Sequence, residues 1–185
     1  MGIALADASA GLGAEVNLVL GPVEIFPASE KIRIINVTTA ESMAKECINL
    51  FPDCDIAVLS AAVADFTPSE VHDRKIKNKD DEFLLRLRQT TDIAQVLGKM
   101  KKPDQLLAGF ALETDNELDN ASEKLKRKNL DMIVLNSLKE KGAGFGGDTN
   151  KITIIDRNNI IDKFELKSKE EAARDILDKI ISMLK

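Results

Sequence analysis

Short runs of apolar residues alternate with segments of helical periodicity along the whole chain. This alternation is typical of a parallel β-sheet whose strands are joined by crossover helices. The run within Asp55–Ser60 has no polar interruption, which predicts a fully buried strand. The predicted strands are Val16–Leu20, Ile32–Val37, Asp55–Ser60, an edge strand at Phe83–Arg88, Leu106–Phe110 and Met132–Leu135, followed by a hairpin of Ile152–Ile155 and Ile160–Leu166 around the turn 157–159.

Helical spacing fills the segments between these strands. Three helix starts carry the pattern of a capping box, in which two side chains three residues apart bond each other's backbone. These pairs are Thr38 with Glu41, Thr114 with Glu117, and Ser168 with Glu171. The predicted helices are Met1–Ala10, Ala40–Leu50, Asp92–Gly98, one with the inner stripe Leu118, Ala121, Ser122 and Leu125, and one from Ser168 that buries Ala172, Ala173, Ile176, Leu177, Ile180, Ile181 and Leu184.

This order of elements predicts an α/β fold, a Rossmann-like three-layer sandwich with a mainly parallel sheet and a C-terminal hairpin. The segment Asp65–Asp81 is polar and lysine-rich and has neither a helical nor a strand period, so we expect a mobile basic flap there. The helix Met1–Ala10 precedes the first strand, whereas a strand normally opens such a fold. We therefore expect a first strand and its loop to be missing from this sequence.

Length and composition narrow the class of protein. The 185 residues, of which 44% are hydrophobic, predict a single domain over residues 1–185. The net charge of -5 has the wrong sign for a sequence-independent nucleic-acid binder, and Trp and Tyr are absent. We expect no nucleic-acid partner.

Cysteine and histidine are scarce. Cys47 and Cys54 are the only cysteines and have no CxxC spacing, which favours a reducing cytoplasmic setting. His72 is the only histidine, so a structural zinc site is not expected. The longest apolar stretches, such as Ile56–Ala64, fall well short of the roughly 20 residues of a membrane span. No membrane association is expected.

Two short motifs bear on ligand binding. Gly11–Val16 contains spaced glycines but follows a helix and precedes a strand, the reverse of the order in a dinucleotide fingerprint. Ser60–Phe66 places small residues directly after a buried strand, where ligands bind in open α/β sheets. A tightly packed strand-to-loop junction explains the same composition equally well.

Two groups of lysines offer local positive charge in an acidic protein. Lys75, Lys77 and Lys79 alternate in the predicted flap, which fits either a ligand-facing surface or a solvated charge run. Lys124 and Lys128 are four residues apart on one helix face, where both ammonium groups could meet a polyphosphate. An exposed helix with charge pairs has the same spacing. A Gly-rich segment, Gly142–Asp148, lacks the Lys-Ser/Thr ending of a P-loop.

Eight segments, in order and spacing, together have a recognisable pattern: Met1–Ala6, Gly13–Val16, Gly21–Val23, Ala61–Phe66, Lys75–Lys77, Gly109–Thr114, Lys128–Asp131 and Gly144–Gly146. Over essentially the whole chain they resemble the phosphopantothenoylcysteine synthetase domain family of coenzyme A biosynthesis. Members are often fused behind a flavin-dependent decarboxylase.

The resemblance implies a CTP-dependent ligase that joins 4'-phosphopantothenate to L-cysteine. CTP activates the carboxylate as an acyl-cytidylate with loss of pyrophosphate, and the cysteine amine then displaces CMP. Mg²⁺ would carry part of the triphosphate charge, with no metal-binding residue assigned. FMN would be present only with a fused decarboxylase, and the family suggests a homodimer.

The resemblance also implies roles for individual residues. Lys75 would be the catalytic lysine of the flap and would contact CTP. Fixed cations and a helix N-terminus suit a step in which charge moves onto phosphate. The remaining residues implied in CTP binding are Ala61, Ala62, Asp65, Thr91, Asp92, Ile93, Ala94, Phe110, Lys124 and Lys128.

The sequence departs from the family in two places. A strand, a Gly-Gly-Thr loop and a Ser-Asn-x-Ser-Ser-Gly-Lys motif normally precede the Met-Gly that is Met1-Gly2 here. A molecule that truly starts at Met1 is expected to have little or no synthetase activity. Gln89–Asp92 also stands where many members carry Lys-Asn-Pro-Asp.

Two other functions fit parts of the pattern. A nicotinamide-dependent oxidoreductase fits the doubly wound arrangement but requires a GxGxxG after the first strand. A non-catalytic nucleotide-binding domain fits the absence of the strand, loop and motif that normally precede Met1-Gly2 in the family.

Overall fold

The structure, a computed structural model, describes residues 1–71, 74, 84–113, 116–137 and 149–184. The helices are α1 (Gly2–Gly11), α2 (Ala40–Leu50), α3 (Ile93–Met100), α4 (Glu117–Arg127) and α5 (Lys169–Met183), with a 3-10 turn at Phe51–Asp53. The strands are β1 (Asn17–Leu20), β2 (Arg33–Asn36), β3 (Ile56–Leu59), β4 (Phe66–Pro68), β5 (Leu87–Gln89), β6 (Leu106–Glu113), β7 (Met132–Ser137), β8 (Thr149–Asn150), β9 (Ile152–Asp156), β10 (Ile161–Lys163) and β11 (Lys167–Ser168).

The central sheet has five strands in the order β10-β9-β7-β6-β3. β3, β6 and β7 are parallel, and the hairpin of β9 and β10 adds antiparallel strands beside β7. The predicted α/β fold with a C-terminal hairpin is therefore confirmed. The registers place Leu59 opposite Gly109 and Phe110 opposite Val134, so the parallel strands run toward the same edge.

Side chains of the sheet alternate between two hydrophobic layers, as the period of a strand requires. Leu106, Ala108, Met132 and Val134 pack with α1 and α5 on one face. Leu107, Ala111, Ile133 and Leu135 pack with α2, α3 and α4 on the other. These two layers of helices around one sheet are the predicted three-layer sandwich.

Burial of β3 differs from the prediction. All four of its residues, Ile56–Leu59, are half-buried, because β3 ends the five-stranded sheet in the part of the chain that the structure describes. β1 and β2 pair in parallel in a separate two-stranded sheet. Two further ribbons, β4 with β5 and β8 with β11, are antiparallel.

Of the three predicted capping boxes, one is wrong, one is confirmed, and the one at Thr114 falls partly outside the described residues. The N-cap of α2 is Thr39, whose hydroxyl accepts from the Ser42 N–H at 3.0 Å, one residue later than the predicted pair of Thr38 and Glu41. α4 begins after Asn116, which makes no side-chain cap bond, and Thr114 lies outside the described residues. The box of Ser168 with Glu171 is confirmed, with bonds of 3.1 and 3.0 Å.

The predicted flap is wrong in its first part. Phe66–Pro68 forms β4, which pairs with β5, Leu87–Gln89. The predicted strand Phe83–Arg88 is confirmed at Leu87 and Arg88 only. Phe83 lies outside the described residues, and Leu84–Arg86 are not in a strand. The alternating Leu and Arg side chains of this segment are all exposed, so their pattern does not indicate where the strand begins or ends.

The turn that follows α4 lies directly against α3. A Cβ built on Gly98 would come within 1.9 Å of the Lys128 carbonyl oxygen and 2.9 Å of its carbon. Asn129, at a positive φ of 52°, donates from Nδ2 to the Gly98 carbonyl at 2.8 Å. Only glycine allows the two backbones to approach this closely.

Asp131 anchors the same turn at the amino edge of the sheet. Its buried carboxylate accepts from the Leu107 N–H and the Lys101 ammonium, both at 2.8 Å, and from Arg157 at 3.1 Å. Lys101 is the C-cap of α3, so this cluster joins α3, β6 and the start of β7. A buried carboxylate needs such partners to offset its lost hydration.

Replacement of Gly98 by alanine should destabilise the protein. The new methyl group meets backbone rather than a side chain that could move, so we expect a loss of about 1–3 kcal/mol or more in the free energy of unfolding. Gly11→Ala is the matched control, because no atom lies within 4 Å of its Cβ position and the change should fall within about 0.5 kcal/mol. Urea denaturation of both variants checks this, and equal midpoints would contradict the tight contact.

Candidate functional site

The carboxyl ends of β3 and β6 bring the first predicted site residues to one edge of the sheet. The loop Ser60–Asp65 leaves β3 at this edge, and Ala61, Ala62 and Asp65 are exposed in it. Small side chains leave the backbone of this loop accessible to a ligand. The predicted ligand-facing loop thus has the required exposure.

Thr90 ties this loop to the segment that starts α3. Its hydroxyl donates to the Ala64 carbonyl at 2.6 Å, and its N–H donates to the Asp65 carbonyl at 2.9 Å. Thr91 and Asp92 follow and are exposed. Two segments that lie apart in the sequence therefore form one continuous surface. Thr90 was missed because no local pattern distinguishes its hydroxyl from others in the chain.

The N-terminus of α3 adds polar groups to this surface. Asp92 is the N-cap and accepts from the Gln95 N–H at 3.1 Å. Ile93 is buried and Ala94 is half-buried against the core, so their side chains are turned away from the surface. Their N–H groups, in the first turn of the helix, have no partner within it and could meet an anion.

Lys128 reaches Asp92 from the end of α4. Its ammonium lies 3.0 Å from Asp92 Oδ1 and 2.9 Å from Oδ2, and the Lys128 side chain is only 13% exposed. Burial opposes ionisation of Asp92, but the bonds from Lys128 and the Gln95 N–H, with the charges of Lys128 and Arg127, lower its pKa below the ordinary value. Two predicted site residues are thus paired with each other.

Lys124, one turn before Lys128, lines an open depression on α4 with Asn120, Glu123 and Arg127. In the described ranges, no carboxylate forms an ion pair with its half-buried side chain. Its charge is therefore available to an anionic ligand.

Phe110 is not joined to this group of residues. Phe110 lies on β6 with its half-buried ring packed toward α1 and α5, on the other face of the sheet from α3 and α4. Lys75 lies outside the described residues. Asn136, near the end of β7, was not singled out from the sequence, and its buried Oδ1 has no hydrogen-bond partner among the residues that the structure describes.

A search for metal ligands within the described ranges finds no group of three His, Cys, Asp or Glu side chains that could hold an ion. In the same ranges no helix has the length and apolar character to cross a membrane.

The comparisons with known proteins place the chain in one family. Residues 1–184 match the profile of the DNA/pantothenate metabolism flavoprotein C-terminal domain. The chain belongs to this family of α/β domains. The assignment agrees with the observed fold and with the resemblance seen in the sequence.

Individual relatives agree with this assignment. The chain is 41% identical over 185 residues to the coenzyme A biosynthesis bifunctional protein CoaBC of Bacillus subtilis (strain 168), covering 100% of this chain and 45% of the relative. A crystal structure of the C-terminal domain of CoaBC superposes with a TM-score of 0.81 at 38% identity, over 98% of this chain and 82% of that one.

A third relative has a different name. It is called a cysteine/cysteine sulfinic acid decarboxylase, comes from an unknown prokaryotic organism, and is 62% identical over 184 residues, covering 100% of this chain and 51% of its own length. The chain thus spans about half the length of the curated relatives it matches.

The Asp92–Lys128 pair predicts a specific response to acid. Because folding lowers the pKa of Asp92, the pair stabilises the folded state above pH 3.8, and this contribution is lost as pH falls through the folded pKa. The Asp92 side chain is 41% exposed, so solvent screening limits the effect to about 1 kcal/mol or less.

Urea denaturation across pH 2 to 6 would measure this, with pH values chosen at about one unit or more on each side of the ordinary Asp pKa. Asp92→Asn should flatten the fall in unfolding free energy at low pH, whereas Asp104→Asn, at an exposed carboxylate, should retain the parent profile. Equal acid profiles for Asp92→Asn and the parent would contradict the pairing.

Proposed function

We propose that the chain is the CTP-dependent ligase domain that joins 4'-phosphopantothenate to L-cysteine in coenzyme A biosynthesis. The observation that carries the proposal is the surface formed by Ala61–Asp65 and Thr90–Asp92 at the carboxyl edge of the parallel strands. The 41% identity to a coenzyme A biosynthesis bifunctional protein supports the same reaction.

The chemistry needs a nucleotide held against a carboxylate. The substrate carboxylate oxygen attacks the α-phosphorus of CTP, forms the acyl-cytidylate and releases pyrophosphate. The cysteine amine then attacks the acyl carbon, forms the amide, loses a proton and releases CMP. Cations and N–H groups fixed in place before reaction stabilise the charge on phosphate without reorganising.

The proposed nucleotide surface supplies such groups. The N–H groups of Ile93 and Ala94 face the anion as the first turn of α3. The ammonium of Lys124, which forms no ion pair with a carboxylate of the described ranges, supplies a positive charge. Lys75 is proposed as the catalytic lysine on the strength of the sequence motif. The other proposed CTP-binding residues are Ala61, Ala62, Asp65, Thr91, Asp92, Phe110 and Lys128.

Mg²⁺ fits this set of residues without a dedicated protein site. In nucleotide sites Mg²⁺ is usually held by phosphates, water and one or two carboxylates, and Asp65 is an exposed carboxylate at this edge. When bound, the ion would neutralise part of the triphosphate charge. The carboxylate of Asp65 would hold the ion, and the N–H groups of α3 would orient the phosphates.

The oligomeric state, the compartment and the associated enzyme are also proposed from the resemblance to the family. We propose a homodimer in the cytoplasm, with a flavin-dependent decarboxylase fused or associated and FMN bound only there. The oxidoreductase alternative is weaker, because Gly11–Gly13 forms the C-terminal turn of α1, before β1, and cannot serve as a phosphate loop after a strand.

Binding of CTP is tested by thermal unfolding of the chain with Mg²⁺ and CTP, set against ATP, GTP and NADPH. A ligand that binds only the folded state raises its stability, by about 2.7 kcal/mol at 100 times its Kd. We expect a rise selective for CTP, followed by CTP-dependent pyrophosphate release when the family's amino-terminal motif is joined to the chain. No stabilisation by CTP with that motif in place would overturn the proposal, and a rise selective for NADPH would favour the oxidoreductase.

Lys75→Gln tests the catalytic lysine. Removing one group that stabilises charge in the transition state typically slows turnover by about 100-fold or more. We expect this loss in pyrophosphate release with an unchanged melting temperature, and a much smaller loss for Lys79→Gln in the same lysine run. Near-parent turnover for Lys75→Gln would remove Lys75 from the mechanism.

A further inference from the structure

Two carboxamide side chains stand apart from the hydrogen bonds that hold the described part of the chain together. The Oδ1 atoms of Asn136 and Asn150 are buried and have no hydrogen-bond partner among the described residues. Asn150 as a whole is only 3% exposed. A buried polar atom without a partner opposes folding, so each such atom in a native protein calls for an explanation. A bound substrate that donates to these oxygens is one explanation.

The register of the strands places both carboxamides on one face of the sheet. Asn136 lies opposite Ile152, and Asn150 lies two residues before Ile152 on the same strand path. Because side chains alternate along a strand, Asn136 shares the face of Val134, which packs with α1 and α5. Asn150 shares the face of Ile152, which belongs to the same layer. The two asparagines are therefore diagonal neighbours, a relation that puts Cα atoms about 7–8 Å apart in a regular sheet.

The burial pattern agrees with this placement. Asn150, Ile152 and Ile154 are buried, whereas Lys151 and Thr153 between them are half-buried. The layer that surrounds the two carboxamides is otherwise apolar. Two polar side chains thus occupy positions at which the fold itself would be served by leucine.

This pair of carboxamides lies beside the proposed nucleotide surface but on the other face of the sheet. β7 runs parallel to β3 and β6, so Asn136, near the end of β7, is close to the edge at which the loop Ala61–Asp65 leaves β3. α3 and α4 pack on the opposite face. A second substrate can therefore approach the same edge from the side of α1 and α5.

The second step of the proposed reaction requires a site for an amine. The free amine of cysteine attacks the acyl carbon and forms a C–N bond. The C–O bond to the phosphate breaks, CMP leaves with the electron pair, and the nitrogen loses a proton to solvent. Carboxamide oxygens accept hydrogen bonds from the amine without carrying charge, whereas a carboxylate in their place would favour the ammonium form and raise its pKa. Two neutral acceptors therefore suit an amine that must act as a nucleophile.

We infer that Asn136 and Asn150 bind the α-amine of L-cysteine, with each Oδ1 accepting one N–H, and direct it toward the acyl-cytidylate at the carboxyl edge. This inference rests on the proposed function. It supplies a partner for both buried oxygens in the substrate-bound state.

The two half-reactions separate amine binding from nucleotide binding. Exchange of labelled pyrophosphate into CTP requires 4'-phosphopantothenate and Mg²⁺ but no cysteine, because it reports on the first step alone. Amide formation requires cysteine as well. Both reactions are measured on the chain joined to the family's amino-terminal motif, with circular dichroism and urea denaturation of each variant.

Asn136→Leu and Asn150→Leu remove the acceptors at nearly constant volume. We expect each substitution to raise the KM for cysteine about tenfold, the equivalent of one hydrogen bond, and to leave pyrophosphate exchange unchanged. The urea midpoints of both variants should equal or exceed that of the parent, since the replaced oxygens have no partner in the described chain. Asn158→Leu, at an exposed carboxamide in the turn between β9 and β10, is the matched control and should retain the parent KM.

Asn136→Asp tests the role of charge. The aspartate still accepts from the amine, so the variant should bind cysteine, but its negative charge raises the pKa of the bound amine. The pH profile of amide formation should therefore shift to higher pH, with exchange unchanged. A purely structural role of Asn136 predicts no such shift.

Parent values of the KM for cysteine in the folded leucine variants would overturn the inference, as would an unshifted pH profile for folded Asn136→Asp. Loss of pyrophosphate exchange together with amide formation would also overturn it, because the carboxamides would then serve the first step. A lowered urea midpoint with an unchanged KM would assign them to the fold alone. The proposed function fails separately, and this inference with it, if the parent protein shows neither exchange nor amide formation.

Discussion

The parallel hydrogen-bonded register of β3, β6 and β7 is the constraint on which the rest of this molecule depends. Because the strands run in one direction, the loop after β3 and the N-terminus of α3 lie at the same edge. The bonds of Thr90 to Ala64 and Asp65 then join them into one surface. The position of the proposed ligand site at this edge follows from connectivity, before any side-chain chemistry is considered.

The opposite edge of the sheet, at Asp131, holds the helices in place. Asp131 gathers Lys101, Arg157 and the Leu107 N–H around one buried carboxylate, and Gly98 lets the turn after α4 approach α3 backbone to backbone. Rigid support from one edge and exposed polar groups at the other is the division expected of an α/β domain, in which loops act and the scaffold positions them.

The sequence predicted those features that arise from local, repeated patterns. The Ser168–Glu171 box and most of the α5 stripe were predicted correctly, because each of these residues reports on its own helix. The predicted burial of Ile181 and Leu184 is wrong, since their side chains, at the C-terminal end of α5, are 41% and 51% exposed. The cap of α2 was misplaced by one residue, since Thr38 and Thr39 are adjacent candidates that differ only in geometry. The half-burial of β3 and the pairing of Lys128 with Asp92, 36 residues apart, depend on tertiary neighbours that no local pattern encodes.

If CTP binds at the carboxyl edge of the sheet, as proposed, the backbone amides of this edge should respond to the nucleotide. An amide chemical-shift map of the isotope-labelled chain, joined to the family's amino-terminal motif and titrated with CTP and Mg²⁺, measures this response. The largest shifts are expected at Ala61–Asp65 and Thr91–Ala94, with little change around Asp131 and Arg157. Shifts that cluster at the Asp131 edge, or that leave Ala61–Asp65 unmoved at saturation, would contradict binding at the carboxyl edge.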